Sequence, residues 1–287
     1  MRFVSYESGS RSGIAAEVNG QWHGLLEDSA DYPGTILSLI QAGAAALLQV
    51  AGAFANAPAI TLADVKVLPP IADPQKIVCI GLNYRDHTAE SGIDQPDFPT
   101  VFGRFNSSLI AHGDPILVPE VSDQLDYEGE LVAVIGKTAR NVPEWQALEH
   151  VVGYSIFNDG SVRDYQFKSP QWTPGKNFDD TGAFGPWFVT ADELPPGCDG
   201  LRLTTRLNDQ VVQDASISDM VFPVAKLVAI LSSFMTLVPG DVIVTGTPSG
   251  VGAARKPPLY MRDGDVCEVA IEKIGKLVNP IRSRKRW

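Results

Sequence analysis

The chain has 287 residues, 44% of them hydrophobic, with a formal net charge of −11. That length buries a sizeable core in one large domain with room for a small extra one. The acidic balance argues against nucleic acid as a partner, and no apolar run approaches the roughly 20 residues of a membrane-spanning helix.

The opening MRFVSYESGS lacks a basic segment followed by an apolar stretch, so no secretion signal is expected and the location is expected to be cytoplasmic. Cys79, Cys198 and Cys267 lie far apart and fit neither a disulfide framework nor a paired-cysteine metal site; they are expected as buried, reduced thiols.

Residues 1–70 read as a small N-terminal domain. RFVSYESG and GIAAEVNGQWHGL alternate enough for two or three short strands, with turns expected at Gly13 and at Asn19-Gly20. PGTILSLIQAGAAALLQVAGAFA then reads as one Ala-rich helix. The pair Pro69-Pro70 marks a boundary, after which residues 71–287 read as a second, larger domain. KIVCIG is a continuous apolar run of the kind found in a strand buried on both faces. More strand-like runs follow: ELVAVIG, VVGYSIFND, GPWFVT, LRLTTRLN, DVIVTGT and VCEVAIEKIGKL. Helical candidates are few: PEWQALEHV, the stretch from Ser161 to about Phe167, and PVAKLVAILSSFM. Strands outnumber helices without regular alternation, which predicts a mainly β, α+β architecture of rolled or packed sheets.

Five stretches carry chemistry. In NYRDHTAESG, His87 and Glu90 are spaced i,i+3, so one helical turn sets a carboxylate beside an imidazole, as a general base requires; flanking glycines suggest a loop that closes over substrate. A surface His–Glu pair is the alternative. In LDYEGELVAVIG, Glu128 and Glu130 sit at the entry to an apolar run. Strand alternation turns residues i and i+2 to the same side, about 7 Å apart. Two buried anions need a countercharge. A divalent cation supplies it, and hard oxygen ligands select Mg2+, Mn2+ or, as a substitute, Ca2+. A solvent-facing pair at a strand edge is the other reading.

In FNDGSVRDYQ, Asp159 ends an apolar run as a possible third carboxylate. Arg163 and Gln166 share a helix face if a helix starts at Ser161, where they would grip a bound acid; an ordinary Asp-Gly turn is the alternative. Lys176 in TPGKNFDD lies in a loop bracketed by Pro and Gly, where an ammonium meets an anion or simply water. VTGTPSGVG lacks the Lys-Ser/Thr of a phosphate loop but offers the Thr247 hydroxyl and backbone N–H groups at a strand end. His23, His112 and His150 have no comparable neighbours and are expected to be structural.

Together, NYRDHTAESG, DYEGELVAVIG, FNDGSVRDYQ, GKNFD, GPWFVT, GDVIVTGTPSGVG and GDVCEVAIEKIGKLVNPI resemble, in order and separation, the fumarylacetoacetate hydrolase family, from about Lys76 to Ile281. The resemblance implies a C-terminal domain with a β-roll of mixed sheets, a homodimer, and Mg2+ or Mn2+ in the site. It implies Glu128, Glu130 and Asp159 as metal ligands and His87 and Glu90 as a catalytic dyad on a lid. It makes Lys176 catalytic and has Arg163, Gln166 and Thr247 bind substrate. The expected activity is hydrolysis of the carbon–carbon bond of a small anionic 2,4-dioxo acid (an acylpyruvate) to pyruvate and a carboxylic acid. Decarboxylation of an oxaloacetate-type 2-oxo diacid, or isomerisation or hydration of a 2-hydroxymuconate-type diacid, is the alternative outcome on the same site. The lid around residues 91–100 and the stretch FGRFNSS are expected to set specificity.

Overall fold

The computed structural model describes residues 1–86 and 97–283. Its centre is the strand Gly129–Ile135, every residue of which is buried. Alternation sends Leu131, Ala133 and Ile135 into one core cluster, shared with Leu203, Val269 and Ile271. Val132 and Val134 enter a second, shared with Phe3, Ile36, Leu39 and Phe188. A strand buried on both faces needs a continuous apolar run, which is why the sequence does not alternate there.

Around that strand a large mixed sheet runs in the order Ala59–Ile60, Gln21–Leu26, Arg11–Val18, Arg2–Ser8, Gly182–Thr190, Val151–Asp159, Gly129–Ile135, Val242–Val244, Ile77–Gly81, Thr100–Gly103. Most pairings are antiparallel, but Val242–Val244 runs parallel to Ile77–Gly81. A second, five-stranded sheet covers one face, in the order Gln210–Ser216, Arg202–Leu207, Val266–Ile271, Gly275–Ser283, Ile116–Val118. The fold is thus mainly β with packed mixed sheets, as the sequence predicts. The longest helix among the described residues, Val224–Phe234, buries Val224, Leu227, Val228 and Leu231 along one stripe.

Several local expectations need correction. The single helix expected within 33–55 is three short ones, Ile36–Ala42, Ala44–Gln49 and Ala51–Ala55. The first ends at Gly43, whose φ of 103° no α-helix accommodates. Asn19-Gly20 is the expected hairpin turn, with φ of 52° and 80°. Gly13 is no turn: it lies within a strand beneath the Tyr6 ring, 2.6 Å from where its own Cβ would be. The helix expected from Ser161 starts later. Ser161–Val162 is a short strand paired with Leu125–Asp126, and one helical turn covers Arg163–Gln166. The stretch PEWQALEHV contains a 3-10 helix, Glu144–His150. The strands expected near the N-terminus form, and Arg2–Ser8 pairs antiparallel with Gly182–Thr190, which joins them to the main sheet. Cys79, Cys198 and Cys267 are buried and unpaired.

Candidate metal centre and substrate cavity

The antiparallel register creates the site. Gly129 pairs with Asn158, and the Asp159 N–H donates to the Glu128 carbonyl at 2.8 Å. This sets Glu128, at the entry to one strand, beside Asp159, at the end of its neighbour. Glu130 follows two residues after Glu128. One carboxylate oxygen from each of Glu128, Glu130 and Asp159 lies within 4.8 Å of the others, and all three residues are buried. Hard oxygen donors on rigid strands suit a divalent cation.

Three cations neutralise part of this charge. Lys176 Nζ lies 2.5 Å from Glu128 Oε2 and 2.6 Å from Asp159 Oδ2. Arg163 forms an ion pair with Glu128 Oε1 at 2.7 Å, donates from Nε to Asp126 Oδ2 at 2.8 Å, and reaches Gln166 Oε1 at 2.8 Å. Arg104 Nη1 meets the other oxygen of Asp159 at 2.5 Å. Glu130 accepts instead from the backbone N–H of Gly246 at 2.5 Å. Gly246 has a φ of 101°, and a Cβ there would stand 2.7 Å from Asn83 Cβ, so only glycine brings that N–H so close.

These surroundings set the charge states. Burial pushes the Glu130 carboxyl well above the carboxylate range, and the neighbouring Asp159 and Glu128 charges push it further; Lys176 and the Gly246 N–H pull the other way without prevailing. Burial lowers the Lys176 ammonium, but Asp159 and Glu128 outweigh it and hold it above the ordinary lysine value. Arg163 is likewise raised, burial being overcome by Glu128 and Asp126.

The carboxylates open into a cavity of about 410 Å³, lined by Glu128, Glu130, Arg163, Gln166, Lys176 and Thr247 on its polar side. Ile80, Phe102, Trp172 and Val251 make an apolar wall. Trp172 and Phe102 meet edge to face at 5.5 Å, and Lys176 Nζ stands 5.1 Å from the Phe102 ring centre. Thr247 is held by donating to the Gly129 carbonyl at 3.0 Å and accepting from Gln213 at 2.8 Å. Seven of the nine expected site residues therefore gather in one place. The other two, His87 and Glu90, lie outside the described residues, as does most of the expected lid.

His23, His112 and His150 serve the framework: Nδ1 of each meets a backbone group, of Ala57, Val278 and Lys137 respectively. Two residues escaped sequence reasoning. Asp126 is fully occupied, accepting from the N–H groups of Tyr127, Gly252 and Ala253 as well as from Arg163. It orients Arg163 and anchors the loop after Thr247. Arg104 lies in FGRFNSS, a stretch expected to set specificity, yet it is 4% exposed and faces Asp159. A charged residue flanked by a strand and a polar turn looks solvent-facing in sequence, so neither carried a signal.

Residues 76–282 match the family described as fumarylacetoacetate (FAA) hydrolase C-terminal. The chain is 38% identical to the mitochondrial oxaloacetate tautomerase of Xenopus laevis, over 98% of this chain and 90% of that protein. Among solved structures it resembles a fumarylacetoacetate hydrolase from Exiguobacterium antarcticum, with a TM-score of 0.86 and 36% identity across 99% of this chain and 100% of that one. It also resembles the maleylpyruvate hydrolase of Sphingobium sp. SYK-6, solved with manganese(II) and pyruvate, with a TM-score of 0.81 and 26% identity across 99% and 100%. The chain is a member of the fumarylacetoacetate hydrolase family.

Proposed function

We propose that this protein is a divalent-metal-dependent enzyme that binds a small 2-oxo acid and works through its enolate. The observation that carries this reading is the convergence of three buried carboxylates, two of which, Glu128 and Glu130, line with Lys176, Arg163, Gln166 and Thr247 the polar side of a cavity whose other wall is apolar. Glu128, Glu130 and Asp159 would hold Mg2+ or Mn2+, which when bound supplies a Lewis acid for the 2-oxo oxygen.

The chain's own groups divide the remaining work. Arg163 and Gln166, already hydrogen-bonded to each other, present planar donors suited to a carboxylate. Lys176 remains an ammonium at neutral pH, so it stabilises the charge on the enolate oxygen rather than acting as a base. The base that moves the proton at carbon 3 is assigned to His87, oriented by Glu90. Phe102, Trp172 and Ile80 keep water from the enolate.

Of the outcomes open to an enolate, keto–enol conversion of an oxaloacetate-type acid needs only these groups, and the 38% identity to an oxaloacetate tautomerase supports it. Hydrolysis of an acylpyruvate needs in addition a water activated at carbon 4. The His87–Glu90 spacing and the likeness to a maleylpyruvate hydrolase favour it as the second reading. The test is to supply purified protein and Mn2+ with enol-oxaloacetate, following loss of the enol's ultraviolet absorbance, and separately with acylpyruvates, following pyruvate release. Turnover of either, abolished by His87→Ala, supports enolate chemistry and selects the outcome. Turnover of neither sinks the proposal.

A further inference from the structure

We propose that Arg104 is a positioning residue that fixes the rotation of Asp159, so that one carboxylate oxygen is spent on the framework and the other is delivered to the metal. The inference rests on the reading of Glu128, Glu130 and Asp159 as a metal site.

Arg104 does not line the cavity, and its side chain has no solvent exposure. Its guanidinium is held on every edge. Nε donates to Ser108 Oγ at 3.2 Å, Nη2 to Thr181 Oγ1 at 2.8 Å, and Nη1 to both the Gly160 carbonyl at 3.1 Å and Asp159 Oδ1 at 2.5 Å. The acceptors are themselves fixed, since Thr181 Oγ1 donates to the Phe178 carbonyl at 2.7 Å and Ser108 Oγ to that of Phe105 at 2.8 Å. Space for the guanidinium depends on Gly182, where a Cβ would stand 2.8 Å from Nη2.

The consequence for Asp159 is a division of labour between its two oxygens. Oδ1 belongs to Arg104, and Oδ2 faces Lys176 Nζ at 2.6 Å, in the direction of Glu128 and Glu130. Without the guanidinium the carboxylate is free to rotate about χ2, and its buried Oδ1 loses the donor that fixes it to the framework. Outer partners that orient a ligand typically change metal affinity by about 10–100-fold. A purely structural ion pair has no such effect; its loss lowers stability and leaves affinity alone.

Mn2+ affinity measured by calorimetry on the intact protein, without substrate, separates these roles. Arg104→Met is expected to weaken Mn2+ binding at least about tenfold, and Arg104→Lys, which keeps charge but not the fork, about threefold or more. Lys76→Met serves as the control for lost stability, because it unpairs buried Asp241, which is no part of the cavity lining; its melting temperature should fall with no change in Mn2+ affinity. If Arg104→Met does not fold, Arg104→Lys carries the test. Wild-type affinity in the folded Arg104 variant overturns the positioning role. If the wild-type protein itself binds no Mn2+, the metal-site reading fails, and the role of Arg104 with it.

Discussion

Replacing Lys176 with methionine removes a buried ammonium while nearly preserving side-chain volume. That ammonium contacts both Glu128 Oε2 and Asp159 Oδ2. Its raised pKa means the pairing contributes fully at every pH below the ordinary lysine value and is lost only as pH rises through the higher folded value; at neutral pH it is wholly in force. Removing one partner of a buried ion pair costs about 3–5 kcal/mol. With an unfolding entropy of about 2.1 cal/mol/K per residue over 287 residues, the loss corresponds to a fall in Tm of about 5–8 °C. Mn2+ at a hundredfold excess over its Kd stabilises the wild type by about 2.7 kcal/mol, or about 4–5 °C. The variant has lost a cation beside the same carboxylates, so at equal free Mn2+ its metal-induced shift should exceed that of the wild type. Scanning calorimetry of both proteins with and without Mn2+ gives all four temperatures. A variant that loses less than about 2 °C, or gains less from Mn2+ than the wild type does, would refute the claim that Lys176 shares the neutralisation of these carboxylates.

Other substitutions and conditions probe separate parts of the site. Because Glu130 has a raised folded pKa, its carboxyl favours the folded state below its unfolded value and costs stability as pH rises through the folded value. Mn2+ must displace that proton, so binding should tighten by up to about tenfold per pH unit above the ordinary carboxylate range, with about one proton released per metal by calorimetry in paired buffers. Binding with no proton release in that range would contradict the assignment. Asp126→Asn leaves an NH2 where Arg163 and backbone N–H groups expect an acceptor, and should lower Tm by about 5–8 °C through a loss of about 3–5 kcal/mol. Gly81→Ala sets a Cβ 2.2 Å from the Trp172 ring, so the indole must move; KM for the accepted 2-oxo acid should rise about tenfold with kcat changed less than about threefold. A kcat loss with unchanged KM would place Trp172 in the chemistry rather than in binding.

How much of this was legible in the sequence depended on whether each signal was local. The apolar run after Glu128 and the one ending at Asp159 gave two strands, and their pairing explains why three carboxylates converge. The i,i+3 spacing of Arg163 and Gln166 survived a misplaced helix start, because both fall within the single turn Arg163–Gln166. Arg104 was invisible for the opposite reason. Its partners are Ser108, Asp159, Gly160 and Thr181, of which all but Ser108 lie more than fifty residues away in the chain. Asp126 is adjacent to an obvious motif yet serves a loop at Gly252 and Ala253. The helix break at Gly43 was similarly hidden, since alanine-rich composition outweighs one glycine in any propensity sum.

The same contrast bears on how the site works. Its carboxylates are carried on strands whose apolar faces pack in two cores, whereas the groups assigned to proton transfer lie in a stretch of sequence bounded by Gly81 and Gly92. Metal affinity and stability should therefore respond to Lys176, Arg104 and Asp126 whatever substrate is present. His87→Ala should leave Mn2+ affinity within about threefold of wild type while removing turnover. If His87→Ala weakened Mn2+ binding as much as Arg104→Met, the proton-transfer groups and the metal site would be one energetic unit. The rigid centre and the proposed base would then not be separable.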